Sequence, residues 1–137
     1  MRENTGKVVL VGAGPGDTGL LTLKGEKYIK QADCLVYDRL SSPEFLSMAK
    51  AGCELIYVGK ENHRHVMKQE AINELLYEKS KYHELVVRLK GGDPYVFGRG
   101  GEEALYLADR NVEVEVVPGV SSSVAALAAA GIPITHR

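Results

Sequence analysis

Five short runs rich in valine, leucine and isoleucine, at residues 7–11, 34–37, 54–58, 85–89 and 112–117, alternate with stretches whose apolar residues recur at helical spacing. Strands joined by helical crossovers pair in parallel, and a parallel sheet buries both faces under helices. The pattern therefore predicts one α/β domain over residues 1–137, with a five-stranded, mostly parallel sheet, helices on both faces and right-handed crossovers. Helices are expected at 22–31 with Thr22 as N-cap, at 43–51 stopped by Gly52, at 69–80, at 102–110, and at 121–130 ended by Gly131.

Charge narrows the range of partners. Lysine and arginine number 17 against 18 acids, a formal net charge of −1, so no long-range field draws the chain to nucleic acid or an anionic membrane. No apolar run approaches the roughly 18 residues of a membrane span, and no basic leader precedes an apolar core, which predicts a cytoplasmic protein. Cys34 and Cys53 form no C-x-x-C pair and read as reduced structural thiols. Neither His63 and His65 nor any acid cluster has metal-ligand spacing, so no metal is expected, and no serine sits in a nucleophile elbow.

In open α/β sheets ligands bind beyond the carboxyl ends of the strands, and here those ends are polar and rich in glycine. The first strand runs into Gly12-Ala-Gly-Pro-Gly-Asp17. A dinucleotide fingerprint starting at Gly12 needs glycine where Asp17 stands, and Pro15 removes an amide donor, so phosphate loop, plain tight turn and proline-lined cofactor wall all stay open. Asp38 follows the second strand and Lys60 the third; each is a solvated charge or a cleft residue. After the fourth strand, Gly91-Gly92-Asp93-Pro94 pairs two residues without side chains with a carboxylate, and Gly98-Arg99-Gly100-Gly101 adds a second glycine cluster a few residues on. Arg39, His63, Arg64, His65, Arg88, Lys90 and Arg99 read one by one as solvated surface residues; together they suit a polycarboxylate ligand.

Taken in order, Val8-Val-Leu-Val-Gly-Ala-Gly-Pro-Gly-Asp17, Val36-Tyr-Asp38, Val58-Gly-Lys60, Val86-Val-Arg-Leu-Lys-Gly-Gly-Asp-Pro94, Val116-Val-Pro-Gly-Val-Ser121 and Ile132-Pro-Ile-Thr-His-Arg137 resemble the tetrapyrrole methylases over nearly the whole chain. The Phe97-Gly-Arg-Gly-Gly-Glu-Glu103 ending and the final Ile134-Thr-His-Arg137 are similar to the branch acting on uroporphyrinogen-III. The resemblance implies an S-adenosyl-L-methionine site with contacts from Pro15, Gly91, Gly92, Asp93, Val96, Ser121 and Ser122. It further implies Asp38 as proton acceptor, Lys60 as proton donor and Arg99 as a contact to substrate carboxylates.

The reaction it implies is methylation of uroporphyrinogen-III at C-2 and C-7, by way of precorrin-1 to precorrin-2, on the way to sirohaem and cobalamin, in a homodimer. Such proteins continue into a second α/β domain, so residues 1–137 correspond to the amino-terminal domain and are expected to bind cofactor weakly and turn over little alone. A methyltransferase of a later corrin precursor, a non-catalytic ligand-binding domain and a nucleotide-binding oxidoreductase are the rival readings.

Overall fold

A computed structural model describes residues 4–39, 43–59 and 67–137. In chain order it contains β1 (Lys7–Gly12), α1 (Leu23–Gln31), β2 (Cys34–Tyr37), α2 (Glu44–Ser47), β3 (Glu54–Tyr57), α3 (Gln69–Ser80), β4 (Leu85–Lys90), α4 (Gly100–Ala108), β5 (Val114–Val117) and α5 (Ser122–Ala129), with a short 3₁₀ turn at Thr18–Leu20. The strands form one sheet in the order β3-β2-β4-β1-β5. Every pairing in it is parallel, with Val9 opposite Val87 on one side and Glu115 on the other.

The period of two along each strand divides the core. Val8, Leu10, Val36 and Val86 pack with Ile72 and Leu76 of α3 and Leu107 of α4. Val9, Val11, Leu35, Val87 and Leu89 pack on the opposite face with Ile29 of α1 and Phe45 of α2. Both faces of β1 and β4 are thus dry, and each fully buried aliphatic side chain contributes about 1.5–3 kcal/mol relative to exposure. α1 starts where Thr22 Oγ1 accepts the Gly25 amide at 2.9 Å. A Cβ on Gly25 would lie 2.9 Å from Leu21 Cδ1 and 3.2 Å from Val11 Cγ1, so glycine lets the helix settle close to the sheet.

Three elements differ from expectation by two residues or more at an end. Residues 43–51 supply only the single turn of α2, because Pro43 offers no side-chain cap and the chain continues through tight Ala49-to-Leu46 and Cys53-to-Lys50 backbone bonds to Gly52 at φ +84°. α4 begins at Gly100, whose amide donates to the Pro94 carbonyl, and ends at Ala108 rather than Arg110. β5 starts at Val114, since the Val112 amide turns back to the Leu107 carbonyl and closes α4. No helix among the described residues is long and apolar enough to cross a membrane.

Candidate functional site

The carboxyl ends of β1, β4 and β5 meet through glycines. Gly14 and Gly92 exchange two backbone hydrogen bonds of 3.1 and 2.8 Å, and the Ala13 amide donates to the Lys90 carbonyl at 2.7 Å. A Cβ on Gly12 would sit 2.5 Å from the Gly92 oxygen, and one on Gly119 would collide with that same oxygen. Gly92 itself has φ +62°. The first turn therefore spends its amides on the neighbouring strand end, and Asp17 Oδ1 accepts Gly19 N at 2.8 Å, a use that leaves a pyrophosphate no cradle of amides at Ala13 and Gly14. Asp93 completes the junction: Oδ1 accepts the Tyr95 amide at 2.9 Å and Oδ2 the Gly119 amide at 3.0 Å.

Two clefts open above this junction. The first, about 420 Å³, is lined by Gly91, Gly92, Asp93, Val96, Phe97, Ser121 to Ser123 and Ala126. It brings together six of the seven residues expected to hold the cofactor. Pro15 is not among the residues lining either cleft; it stands beside the Gly14–Gly92 bridge. The second cleft, about 340 Å³, is walled by Asp38, Val58, Gln69, Arg88, Lys90 and Arg99 among others. Gly91 and Phe97 line both, so they form the boundary between the two spaces.

The clefts differ in charge. Asp93 is the one ionisable group among the described residues that line the first, where Ser121 Oγ caps α5 by accepting the Ser123 amide at 3.3 Å. Among the described residues, the second holds three cations and the Asp38 carboxylate. Arg99 lies on its rim, half exposed, with φ +56° and a two-pronged pairing to Glu102 at 3.2 and 2.8 Å. Phe97, at φ +52°, is fully exposed between the clefts. Lys60 lies outside the described residues, as do His63, Arg64 and His65.

Arg88 and Lys90 correct the reading of the basic residues as a solvated set. They are 2% and 4% exposed, because they alternate with Val87 and Leu89 on β4 and so share the face of Val86, under α3 and α4. Their partner is Glu103 of α4, which is wholly buried: its Oε2 accepts Arg88 Nε at 3.1 Å and its Oε1 accepts Lys90 Nζ at 2.9 Å. Burial, and next the charge of Arg88, push the Lys90 ammonium below its ordinary pKa, opposed by Glu103. Arg88 Nη2 continues to Asp38 Oδ2 at 3.4 Å. The signal for this network was present: two cations at alternate positions of a strand that must be dry on both faces require a buried acid.

One grouping of possible metal ligands occurs among the described residues, Cys34, Glu54 and His83, with ligand atoms within 4.8 Å of one another. It lies at the amino ends of the strands, away from both clefts, and the Glu54 carboxylate is already taken up by Lys79 at 2.8 Å and His83 at 2.9 Å. Burial holds the Cys34 thiol protonated by raising its pKa to about 12.

The profile of the tetrapyrrole (corrin/porphyrin) methylases matches residues 7–137. The chain belongs to that family. The uroporphyrinogen-III C-methyltransferase of Methanocaldococcus jannaschii is 61% identical over 133 residues, which are 97% of this chain and 55% of that protein. The crystal structure of uroporphyrin-III C-methyltransferase from Thermus thermophilus superimposes with a TM-score of 0.84 at 48% identity, covering 96% of this chain and 55% of that one. A structure of a uroporphyrin-III C-methyltransferase from Thermus thermophilus complexed with S-adenosyl homocysteine gives a TM-score of 0.81 at 53% identity, covering 96% of this chain and 54% of that one. The chain thus spans about half the length of the relatives it matches.

Proposed function

We propose that this chain is the cofactor-binding half of an S-adenosyl-L-methionine-dependent uroporphyrinogen-III C-methyltransferase, which methylates C-2 and C-7 through precorrin-1 to precorrin-2 and works as a homodimer. The observation that carries the reading is the 420 Å³ cleft, in which Gly91, Gly92, Asp93, Val96, Ser121 and Ser122 line one space. Its fit to the cofactor is physical. A Cβ on Gly91 would meet nothing within 4 Å, so the protein leaves that volume open rather than filling it with its own atoms. Val96, Phe97 and Ala126 offer apolar surface for an adenine ring, and the serine hydroxyls with the first amides of α5 offer polar partners. Each Asp93 oxygen keeps a lone pair for a ribose hydroxyl or an ammonium after accepting its backbone amide.

When bound, the cofactor's sulfonium supplies an electrophilic methyl group. The nucleophile is a pyrrole carbon, so no covalent protein residue is needed, and the chain's contribution is position and proton transfer. Arg99, half exposed on the rim of the second cleft, is the contact for acetate and propionate side chains, while the buried Arg88 and Lys90 add positive potential behind it and Asp38, 38% exposed in the same cleft, accepts the proton. Lys60 is assigned the proton donor's part by resemblance alone. The relatives named for uroporphyrinogen-III support the substrate, and the free Cys34 and Cys53 suit a reducing cytoplasm.

The deciding experiment incubates the full-length protein with uroporphyrinogen-III and methyl-labelled S-adenosyl-L-methionine. Two labelled methyls per macrocycle are expected, and Asp38→Asn should lower turnover by about 10²- to 10⁴-fold while cofactor binding survives. A full-length protein that binds the cofactor and transfers no label to the macrocycle overturns the reading.

A further inference from the structure

We infer that Glu103 is a positioning residue for Asp38, acting through the buried guanidinium of Arg88; the inference rests on the reading of Asp38 as proton acceptor. Glu103 lies on α4 beneath the second cleft and is not part of its lining. Its carboxylate is wholly enclosed and accepts from Arg88 Nε at 3.1 Å, Lys90 Nζ at 2.9 Å and Gln69 Nε2 at 3.2 Å, with Gln69 held in turn by Asn73 at 2.9 Å. Those bonds draw on three elements, α3, α4 and β4, and leave the acid little freedom.

The fork of Arg88 turns that rigidity into direction. With Nε tied to Glu103 and Nη1 to the Leu89 carbonyl at 3.4 Å, Nη2 is left facing the cleft and reaches Asp38 Oδ2 at 3.4 Å. A lysine ammonium can bridge two carboxylates, as Lys7 does for Glu113 and Glu115, but from one freely rotating point, whereas the planar fork fixes separate directions to Glu103 and Asp38. Stability alone does not explain the arrangement, because a buried ion pair is often no more stabilising than well-packed apolar residues of the same volume. What the arrangement secures is orientation: the carboxylate in the cleft is addressed by a guanidinium that cannot rotate away.

Among the described residues, the charged groups that surround Asp38 are Arg88 and Lys90 from β4, Glu103 behind them on α4, and Arg99 from the loop before α4; Gln69 of α3 carries no charge. Replacing Glu103 by glutamine removes the negative charge that balances Arg88 and Lys90. Arg88, which stays charged, then acts on Asp38 without its counter-ion, while Lys90 loses the acid that opposes the lowering of its pKa; the unbalanced guanidinium disfavours the protonated form of Asp38 and makes it a weaker proton acceptor.

The test uses full-length protein with uroporphyrinogen-III, comparing Glu103→Gln, Glu103→Asp, Arg88→Lys and Asp38→Asn. Glu103→Gln is expected to lower kcat about tenfold or more and to move the acidic limb of the pH profile to lower pH, with KM for S-adenosyl-L-methionine unchanged and part of kcat restored in Glu103→Asp. Should Glu103→Gln fail to fold, Glu103→Asp decides: reduced kcat with a shifted acidic limb and S-adenosyl homocysteine binding retained supports the inference. Wild-type kcat and pH profile in whichever of these variants folds overturns it, provided Asp38→Asn is impaired. Unimpaired Asp38→Asn instead overturns the proton-acceptor reading on which the inference rests.

Discussion

The Asp93 carboxylate accepts the Gly119 amide at 3.0 Å across 26 residues of sequence, joining the end of β4 to the end of β5. Its other oxygen holds the Tyr95 amide in the following turn. Asp93 is therefore a structural tie before any ligand arrives. Asp93→Ala should lower the stability of the chain by about 2 kcal/mol, read as a shifted urea midpoint at unchanged m-value, because two amides lose a charged acceptor. S-adenosyl homocysteine affinity, measured by calorimetry, should fall as well.

Gly119→Ala should be far costlier than Gly131→Ala. At Gly119 an added methyl strikes the Gly92 carbonyl and would force two strand ends apart, a loss of about 3 kcal/mol. At Gly131 nothing lies within 4 Å, and the cost is the left-handed φ of +74°, about 1 kcal/mol. Parallel thermal melts of the two variants measure the difference between collision and backbone strain.

Phe97 buries nothing in this chain, so Phe97→Ala should change stability by no more than about 0.5 kcal/mol. Because its ring stands at the boundary of both clefts, the same substitution should weaken S-adenosyl homocysteine binding by about tenfold in the full-length protein. Calorimetry set against urea titration separates the two effects.

Glu115 predicts a weak acid sensitivity. Hydrogen bonds from Lys24, Lys7 and Tyr28 lower its carboxyl from 4.5 to about 2. A depressed folded-state pKa means the stabilisation is complete above the unfolded value and is lost as pH falls from about 4.5 through about 2. The side chain is 24% exposed, and solvent screening limits the effect to about 1 kcal/mol. Stability of Glu115→Gln, followed by urea titration, should therefore vary less between pH 5 and pH 2 than that of the parent chain.

The strongly periodic segments were legible before the structure. Thr22 caps α1, β2 spans the same four residues, and Gln69–Ser80 is a helix, because at these places local propensity and tertiary burial favour the same conformation. Residues 43–51 failed the same test. Their composition permits a helix, yet without a side-chain cap at Pro43 the backbone makes one helical turn and then tightens into i→i+3 bonds around the left-handed Gly52. Arg88 and Lys90 were misread because a charged residue in a one-dimensional string carries a surface prior, and nothing adjacent in sequence announces that Glu103 will be packed against them.

From sequence alone followed the alternating α/β architecture and the position of the ligand-facing loops at the strand ends, whereas the six residues that line one cleft were named by the resemblance to the tetrapyrrole methylases; the first two have a local cause. These depend on short-range patterns, hydrophobic period and glycine placement, which a chain carries with it wherever it folds. The tertiary structure decided the rest. The strand order β3-β2-β4-β1-β5 makes β4 and β1 central, and their central place is what strips water from Arg88 and Lys90 and gives Glu103 its partners. It also presses Gly12, Gly92 and Gly119 into one junction, with Asp93 as its clasp. Contacts of this kind arise between residues far apart in sequence, so they exist only once the sheet has closed.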